Sequence, residues 1–396
     1  MKLNDLKSAT RFVVLLGLVS LFADMTYEGA RSITGPYLAL FGASAAAVGF
    51  VAGFGELIGY GLRLVSGYIS DKTKQYWTIT FFGYFVNLIA VPFLALAGNW
   101  PVAAALMIAE RTGKAIRNPA RDAMLSHATH QMGHGWGFGL HEAMDQIGAM
   151  LGPLIVALVL YFRGGDYRTG FAILLIPALL ALSTLLMARF LYPRPHDLEI
   201  NVPSLQSKGL TRSYWLYILG VGLVAAGFAD FPLIAYHFQK VSTIPQSWIP
   251  IFYSVAMGSD ALAALIFGRL FDRLGMGMIL IATLIGIFFA PLVFLGGFSL
   301  ALAGMILWGI SMGAQESIMK AFIAGLVAPG KRGTAFGIFN AFYGVFWFCG
   351  SLALGFLYDV SIPLVILFSM GLQALSVPLF VMAARSHQKA QNSGLA

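Results

Sequence analysis

Charge is scarce in this chain. Asp, Glu, Lys and Arg make up only 11% of its 396 residues, where a soluble domain carries about 25%. With 58% of residues hydrophobic, that shortage excludes a water-soluble globular enzyme, with or without a single anchor. Cysteine is nearly absent too, and Cys349 alone excludes an intramolecular disulfide and any CxxC metal site. Long polar stretches are missing. The longest, YPRPHDLEINVPSLQSKGLTRS at 192–213, leaves no room for a large soluble domain. No short cleavable leader is evident, because the first apolar stretch is full length and contains Asp24 and Glu28.

What remains is a series of apolar runs, each near the roughly 20 residues that cross a bilayer. They fall at roughly 12–38, 46–70, 76–97, 101–126, 136–162, 169–192, 213–239, 248–272, 277–297, 299–326, 333–357 and 362–384. The expected fold is therefore an all-α integral membrane protein with 12 transmembrane helices in two six-helix bundles, 1–192 and 213–396, joined by a cytoplasmic linker at 193–212. The net charge of +8 fits topology and anionic headgroups, not nucleic acid. With the N-terminus inside, the outer loops hold only Arg163, Arg168 and Lys240, while Lys72, Lys74, Arg189, Arg273, Lys331, Arg332 and most other cations lie inside. Both termini are expected in the cytoplasm, across an inner (plasma) membrane.

The two halves repeat. GLVSLFAD (17–24) recurs as GLVAAGFAD (222–230), SGYISDK (66–72) as FGRLFDR (267–273), and GHGWGFG (133–139) as GKRGTAFG (330–337). A duplicated six-helix unit is a transporter architecture, with the site near the midplane. The loop runs GYISDKTK (67–74) and GRLFDRLG (268–275) resemble the G-x-x-x-D-R/K-x-G-R-K/R signature of the major facilitator superfamily, with Lys74 where the second glycine stands. ERTGKAIRNPARDA (110–123) and GFGLHEAMDQIGAMLGP (137–153) look like a largely uncharacterised prokaryotic branch of that family. The resemblance implies alternating access, a cavity lined by spans 1, 4, 7 and 10, and a cytoplasmic gate at Gly67, Asp71, Lys72, Gly268, Asp272 and Arg273. Gly67 is expected to allow a close helix approach. Gly148, Gly152 and Pro153 resemble the G-x-x-x-G-P packing motif of drug and proton antiporters in the family, without its following glycine pair.

The charges inside the spans carry the functional question, because each costs roughly 2.5–3.5 kcal/mol at the bilayer centre on insertion scales. Span 4 places Glu110, Lys114, Arg117 and Arg121 on one helical face, with Arg111 and Asp122 on a neighbouring stripe. Span 1 offers Asp24, Glu28 and Arg31, and span 5 offers His141, Glu142 and Asp145. Span 7 adds Asp230 and His237, and span 10 adds Glu316 and Lys320. Some of these fix helix packing as a buried network, for which Glu110, Arg111, Arg121, Asp122, Glu142 and Asp145 are the candidates. Others titrate: burial raises a carboxylate pKa and a nearby cation lowers it, so a carboxylate exchanging one for the other between states carries a proton. Asp24 and Glu28 are the proton-coupling candidates. Lys114 and Arg117, with Arg31, Asp230 and Glu316, are the candidates for responding to that proton or binding the substrate. Tyr27, Tyr37, Tyr60, Phe228, Tyr236, Phe339, Phe342, Tyr343, Phe346 and Trp347 are available to line a cavity.

Two lookalikes carry less. HEAMD (141–145) has Asp145 where a zinc-protease motif needs histidine, so no enzyme is expected. His127, His130 and His134 precede glycines that turn the chain, so no metal site and no cofactor are expected. The resulting expectation is proton-coupled export of a small organic molecule by a monomer whose partners are substrate, protons and lipids. Transport of an organic anion, export of a divalent metal by Asp24, Glu28, Asp230 and His237, and a non-transporting sensor stay open beside it.

Overall fold

The computed structural model describes residues 3–132, 134–193, 211–242, 244–326 and 332–392. It is all helix among these residues. The first six spans are α1 (Leu3–Leu40), α2 (Ala45–Thr73), α3 (Tyr76–Phe93), α4 (Trp100–Met132), α5 (His134–Phe162), and the pair α6 (Tyr167–Ile173) and α7 (Leu175–Leu191). The second six are the pair α8 (Arg212–Gly227) and α9 (Phe231–Val241), then α10 (Trp248–Leu274), the pair α11 (Met276–Ile287) and α12 (Phe289–Leu295), α13 (Phe298–Leu326), α14 (Arg332–Val360) and α15 (Ile362–Asn392). Eleven helical segments among the described residues are long and apolar enough to cross a membrane. The expected span missing from those eleven is α4, whose charges depress its hydropathy. Of the expected linker 193–212, residues 194–210 lie outside the described residues.

Three spans expected as single helices are interrupted, and each interruption precedes a proline. Pro177, Pro232 and Pro291 have no N–H to give the carbonyls of Ile173, Phe228 and Ile287 four residues earlier. Accordingly α6 stops at Ile173, α8 at Gly227 and α11 at Ile287. Pro36, Pro119, Pro153 and Pro378 sit inside continuous helices, so proline permits a break without forcing one.

The chain forms two compact units. The first is Met1–Gly42, Ile58–Val202 and Pro245–Ser254, and the second is Ala43–Leu57, Pro203–Ile244 and Val255–Ala396. In the first, α1 packs on α4, α5 and α7, and α3 on α4. The contact of α1 with α5 is close: a Cβ on Gly148 would overlap the Leu21 carbonyl oxygen, and one on Gly152 that of Met25. Small residues four apart let the two backbones meet. In the second unit α8 packs on α14 and α15, and α13 on α11 and α12.

Outside the spans, Asp166 caps α6. Its carboxylate accepts from the Thr169 hydroxyl at 2.5 Å and the Arg168 amide at 3.0 Å. The Thr169 hydrogen bond chiefly holds its carboxyl below the usual range.

Gly67 does not make the close helix approach expected of it. A Cβ on Gly67 would make an ordinary 3.5 Å contact with Pro119, and one on Gly268 would meet nothing within 4 Å. A backbone conformation shared by the two repeats lies at the motif's other end instead. Lys74 has φ +56° and Gly275, its counterpart in the second repeat, φ +52°, the region glycine enters most easily. Asp71, Lys72 and Arg273 are exposed, and the Asp272 side chain lies outside the described residues.

Candidate functional site

The site in the first unit grows from the charged face of α4. Glycine at 113 brings α4 against α3, where a Cβ would overlap the Asn87 backbone. That approach puts the Asn87 amide 2.8 Å from Glu110 Oε1 and 3.1 Å from the Glu110 carbonyl. Arg111 Nε lies 3.4 Å from the same carboxylate. Glu110 therefore has partners on both sides, Asn87 and Arg111.

One turn on, Lys114 Nζ lies 3.8 Å from Glu28 Oε1 and 3.9 Å from the centre of the Tyr27 ring. Glu28 receives a second partner from α10, because the Tyr253 hydroxyl donates to its Oε2 at 2.5 Å. Arg31 and Arg111 also act electrostatically on Glu28. Asp24, one turn earlier on α1, accepts from the Tyr27 hydroxyl, and Lys114 and Arg117 are the cations acting on it. Asp24 and Glu28 are each 7% exposed, so both carboxylates are withdrawn from water.

Arg117 differs from every other charge on α4. It is 0% exposed. None of its three guanidinium nitrogens has a hydrogen-bond partner among the described residues. The guanidinium carbon lies 4.1 Å from the centre of the Tyr84 ring and 5.7 Å from that of Tyr27. Ring faces attract a cation, but they leave its five N–H donors unused.

The next turn is pinned. Arg121 holds Asp122 at 2.7 Å and donates to Ser20 Oγ at 3.2 Å. Ser20 also meets His141 Nε2 at 3.0 Å, and His141 Nδ1 lies 3.6 Å from Asp145 Oδ2. These contacts link α1, α4 and α5, with His141 between Ser20 and Asp145. Glu142 does not join these contacts and is exposed, with Gln146 Nε2 at 3.4 Å. Glu316, expected beside the substrate, is exposed on α13. His127, His130 and His134 have side chains outside the described residues. Among the described residues no three His, Cys, Asp or Glu are grouped to hold a metal ion.

In the second unit Asp230 lies in the gap between α8 and α9, 2% exposed, with the Trp347 indole N–H donating to Oδ2 at 3.3 Å. His237 Nδ1 and the Tyr358 hydroxyl are 2.9 Å apart. The aromatic candidates divide: Phe228, Phe339, Tyr343 and Trp347 are buried here, and Tyr27 in the first unit, whereas Phe342 is 38% exposed.

Sequence reasoning missed Ser20, Tyr84, Asn87, Tyr253 and Asp260. Asn87 and Tyr84 were recoverable as polar groups on one face of an otherwise apolar span, and Asp260, 2% exposed, as an acid inside span 8. Nothing in IPIFYS (249–254) marks Tyr253 as a partner of α1.

With this geometry in hand, known proteins give a consistent picture. A sequence model described as Major Facilitator Superfamily matches residues 13–314 and 228–395. An uncharacterized protein of Mycobacterium tuberculosis is 39% identical over 376 residues, covering 93% of this chain and 92% of its own. An uncharacterized MFS-type transporter of Methanocaldococcus jannaschii is 26% identical over 387 residues, 94% of each chain. Among solved structures, a variant of the nucleoside transporter NupG superposes with a TM-score of 0.77 at 15% identity, covering 94% of this chain and 99% of that one. A POT family transporter in complex with a thioalcohol-conjugated peptide gives 0.75 at 14% identity, covering 96% of each. These two likenesses concern the fold.

Proposed function

Because the chain belongs to the Major Facilitator Superfamily, we propose that it is a proton-coupled secondary transporter that exports a small organic molecule by alternating access. It works in the inner membrane with both termini in the cytoplasm. Asp24 and Glu28 are the proton-coupling pair. The observation that carries this reading is the imbalance around them. Glu28 is held by Lys114 and Tyr253, whereas Arg117 is buried with no hydrogen-bond partner among the described residues.

A buried charge without full compensation costs several kcal/mol. Asp24 is an acid on which Arg117 acts, so its proton decides how much of that cost is met. With Asp24 ionised, Arg117 has a counter-charge within electrostatic reach. With Asp24 protonated, the net positive charge of the α1–α4 cluster rises by one. The two protonation states therefore favour different helix arrangements, which is what coupling needs.

The organic-anion alternative asks Arg117 to bind a substrate anion directly. Its enclosure by the Tyr27 and Tyr84 rings supports an internal partner instead. The metal-export alternative gains no support from the described residues. The test replaces Asp24 with Asn and Glu28 with Gln in proteoliposomes, using whichever ligand a thermal-shift screen of drugs, metabolites and metal ions returns. Loss of gradient-driven flux with retained ligand binding is the expected result. Flux surviving in both single variants and the double removes the proposal.

A further inference from the structure

The two aspartates that end the first repeat, Asp24 in GLVSLFAD and Asp230 in GLVAAGFAD, occupy unlike surroundings. Asp24 stands among Tyr27, Lys114 and Arg117 in a continuous helix. Asp230 stands in a broken one, in the three-residue gap between α8 and α9. Breaks in membrane helices are tolerated only where their freed backbone groups find partners, and they mark binding sites in transporters. Here the gap is stapled open. The Ser369 hydroxyl donates to the Gly227 carbonyl at 2.6 Å and the Trp308 indole to the Ala229 carbonyl at 2.9 Å.

An aspartate at a helix start ordinarily accepts from the first-turn amides. Asp230 occupies that position for α9 and makes no side-chain cap. Its Oδ2 accepts from the Trp347 indole N–H at 3.3 Å. Around that indole is an aromatic enclosure: Phe228 packs on Trp308 at 5.2 Å and on Trp347 at 5.7 Å, and Tyr343 on Trp347 at 5.4 Å. Phe231 meets Trp308 at 6.4 Å. Tyr343 is itself oriented by Gln315 at 3.0 Å.

A buried carboxylate beside a cluster of aromatic rings favours positive charge over neutral ligands. The rings attract a cation through their quadrupoles, the carboxylate attracts it directly, and the apolar walls strip its water. A neutral ligand gains only the apolar contact. We propose that Asp230, with Trp347, Phe228 and Trp308, recognises an ammonium or other onium group, so that the exported molecule is an organic cation. This deepens the exporter reading and rests on it for the site's purpose, but not on which carboxylate carries the proton. These side chains are buried in the present state, and the ligand reaches them when the cycle opens this face.

The test uses the purified full-length protein in detergent, with no gradient. The probes are hexyltrimethylammonium and its neutral isostere carrying a tert-butyl group, followed by tryptophan fluorescence and thermal shift. The ammonium is expected to bind at least ~10-fold tighter than the isostere, and Asp230→Asn to remove about that factor. Trp347→Phe, which keeps the ring and loses the N–H, should fall between. Equal binding of cation and isostere by the wild type overturns the proposal without recourse to any variant. So does full affinity in a monodisperse Asp230→Asn, or no binding of the ammonium up to millimolar concentration. The two readings fail separately. Cation binding without proton-driven flux sinks the coupling scheme and leaves this site standing, whereas proton-driven flux of neutral molecules alone does the reverse.

Discussion

Replacing Arg117 with methionine separates a switching cation from a permanently paired one. Methionine fills a similar volume and carries no charge. The substitution forfeits the ring contacts with Tyr84 and Tyr27, each worth about 0.5–2 kcal/mol. Against that, it abolishes the burial of a guanidinium whose three nitrogens lack hydrogen-bond partners among the described residues, a penalty of several kcal/mol. The sum is a folded state as stable as the wild type or more stable by about 1–3 kcal/mol. Lys114→Met makes the contrast. It strips Glu28 of an ion-pair partner at 3.8 Å and leaves a buried carboxylate less compensated, at a cost of up to about 3–5 kcal/mol. Thermal unfolding in detergent reads both, and Arg117→Met should melt at or above the wild type while Lys114→Met melts below it. Gradient-driven flux should be lost in both. A reversed order, with Arg117→Met the less stable, would mean that Arg117 is locked into the packing and does not respond to a proton on Asp24.

Three further outcomes follow from local geometry. Gly152→Leu drives a side chain into the Met25 carbonyl and should destabilise by about 3 kcal/mol or more, read as lost monodisperse protein on size exclusion. Lys74→Gly removes an L-residue from φ +56° and should raise stability by up to about 1 kcal/mol after the entropy glycine adds to the unfolded chain. Asp166→Ala should cost about 1 kcal/mol at neutral pH. Because the folded-state pKa of Asp166 is depressed, its contribution is present above the ordinary carboxylate value. It fades as pH falls through the lower folded value, so the wild-type and variant unfolding curves should converge in acid.

The all-helical fold was legible in the chain, since apolar runs of membrane length are a direct record of the bilayer as solvent. The grouping of Glu110, Lys114, Arg117 and Arg121 on one face was legible too, because helical spacing alone dictates it. Which of them is satisfied was not. That depends on Tyr84 from α3, Tyr253 from α10 and Asn87, partners that only packing brings within reach. The helix breaks were half-written: Pro177, Pro232 and Pro291 precede gaps that Pro119 and Pro153, equally visible, do not produce. The packing role of Gly67 was misread because a glycine followed by a signature turn invites a steric explanation. The backbone locates the constraint seven residues later, at Lys74. Glu142 was expected in the charge network and Glu316 beside the substrate, and the structure leaves both exposed, which residue type and helical spacing alone do not reveal.

The account rests on Asp24 and Glu28 moving the proton. Its most direct measurement is ligand flux in proteoliposomes under an imposed pH gradient, with Asp24→Asn, Glu28→Gln and the double variant beside the wild type and ligand binding measured on the same preparations. The account predicts that the variants bind ligand and no longer convert the gradient into flux. Undiminished gradient-driven flux in the double variant would contradict it.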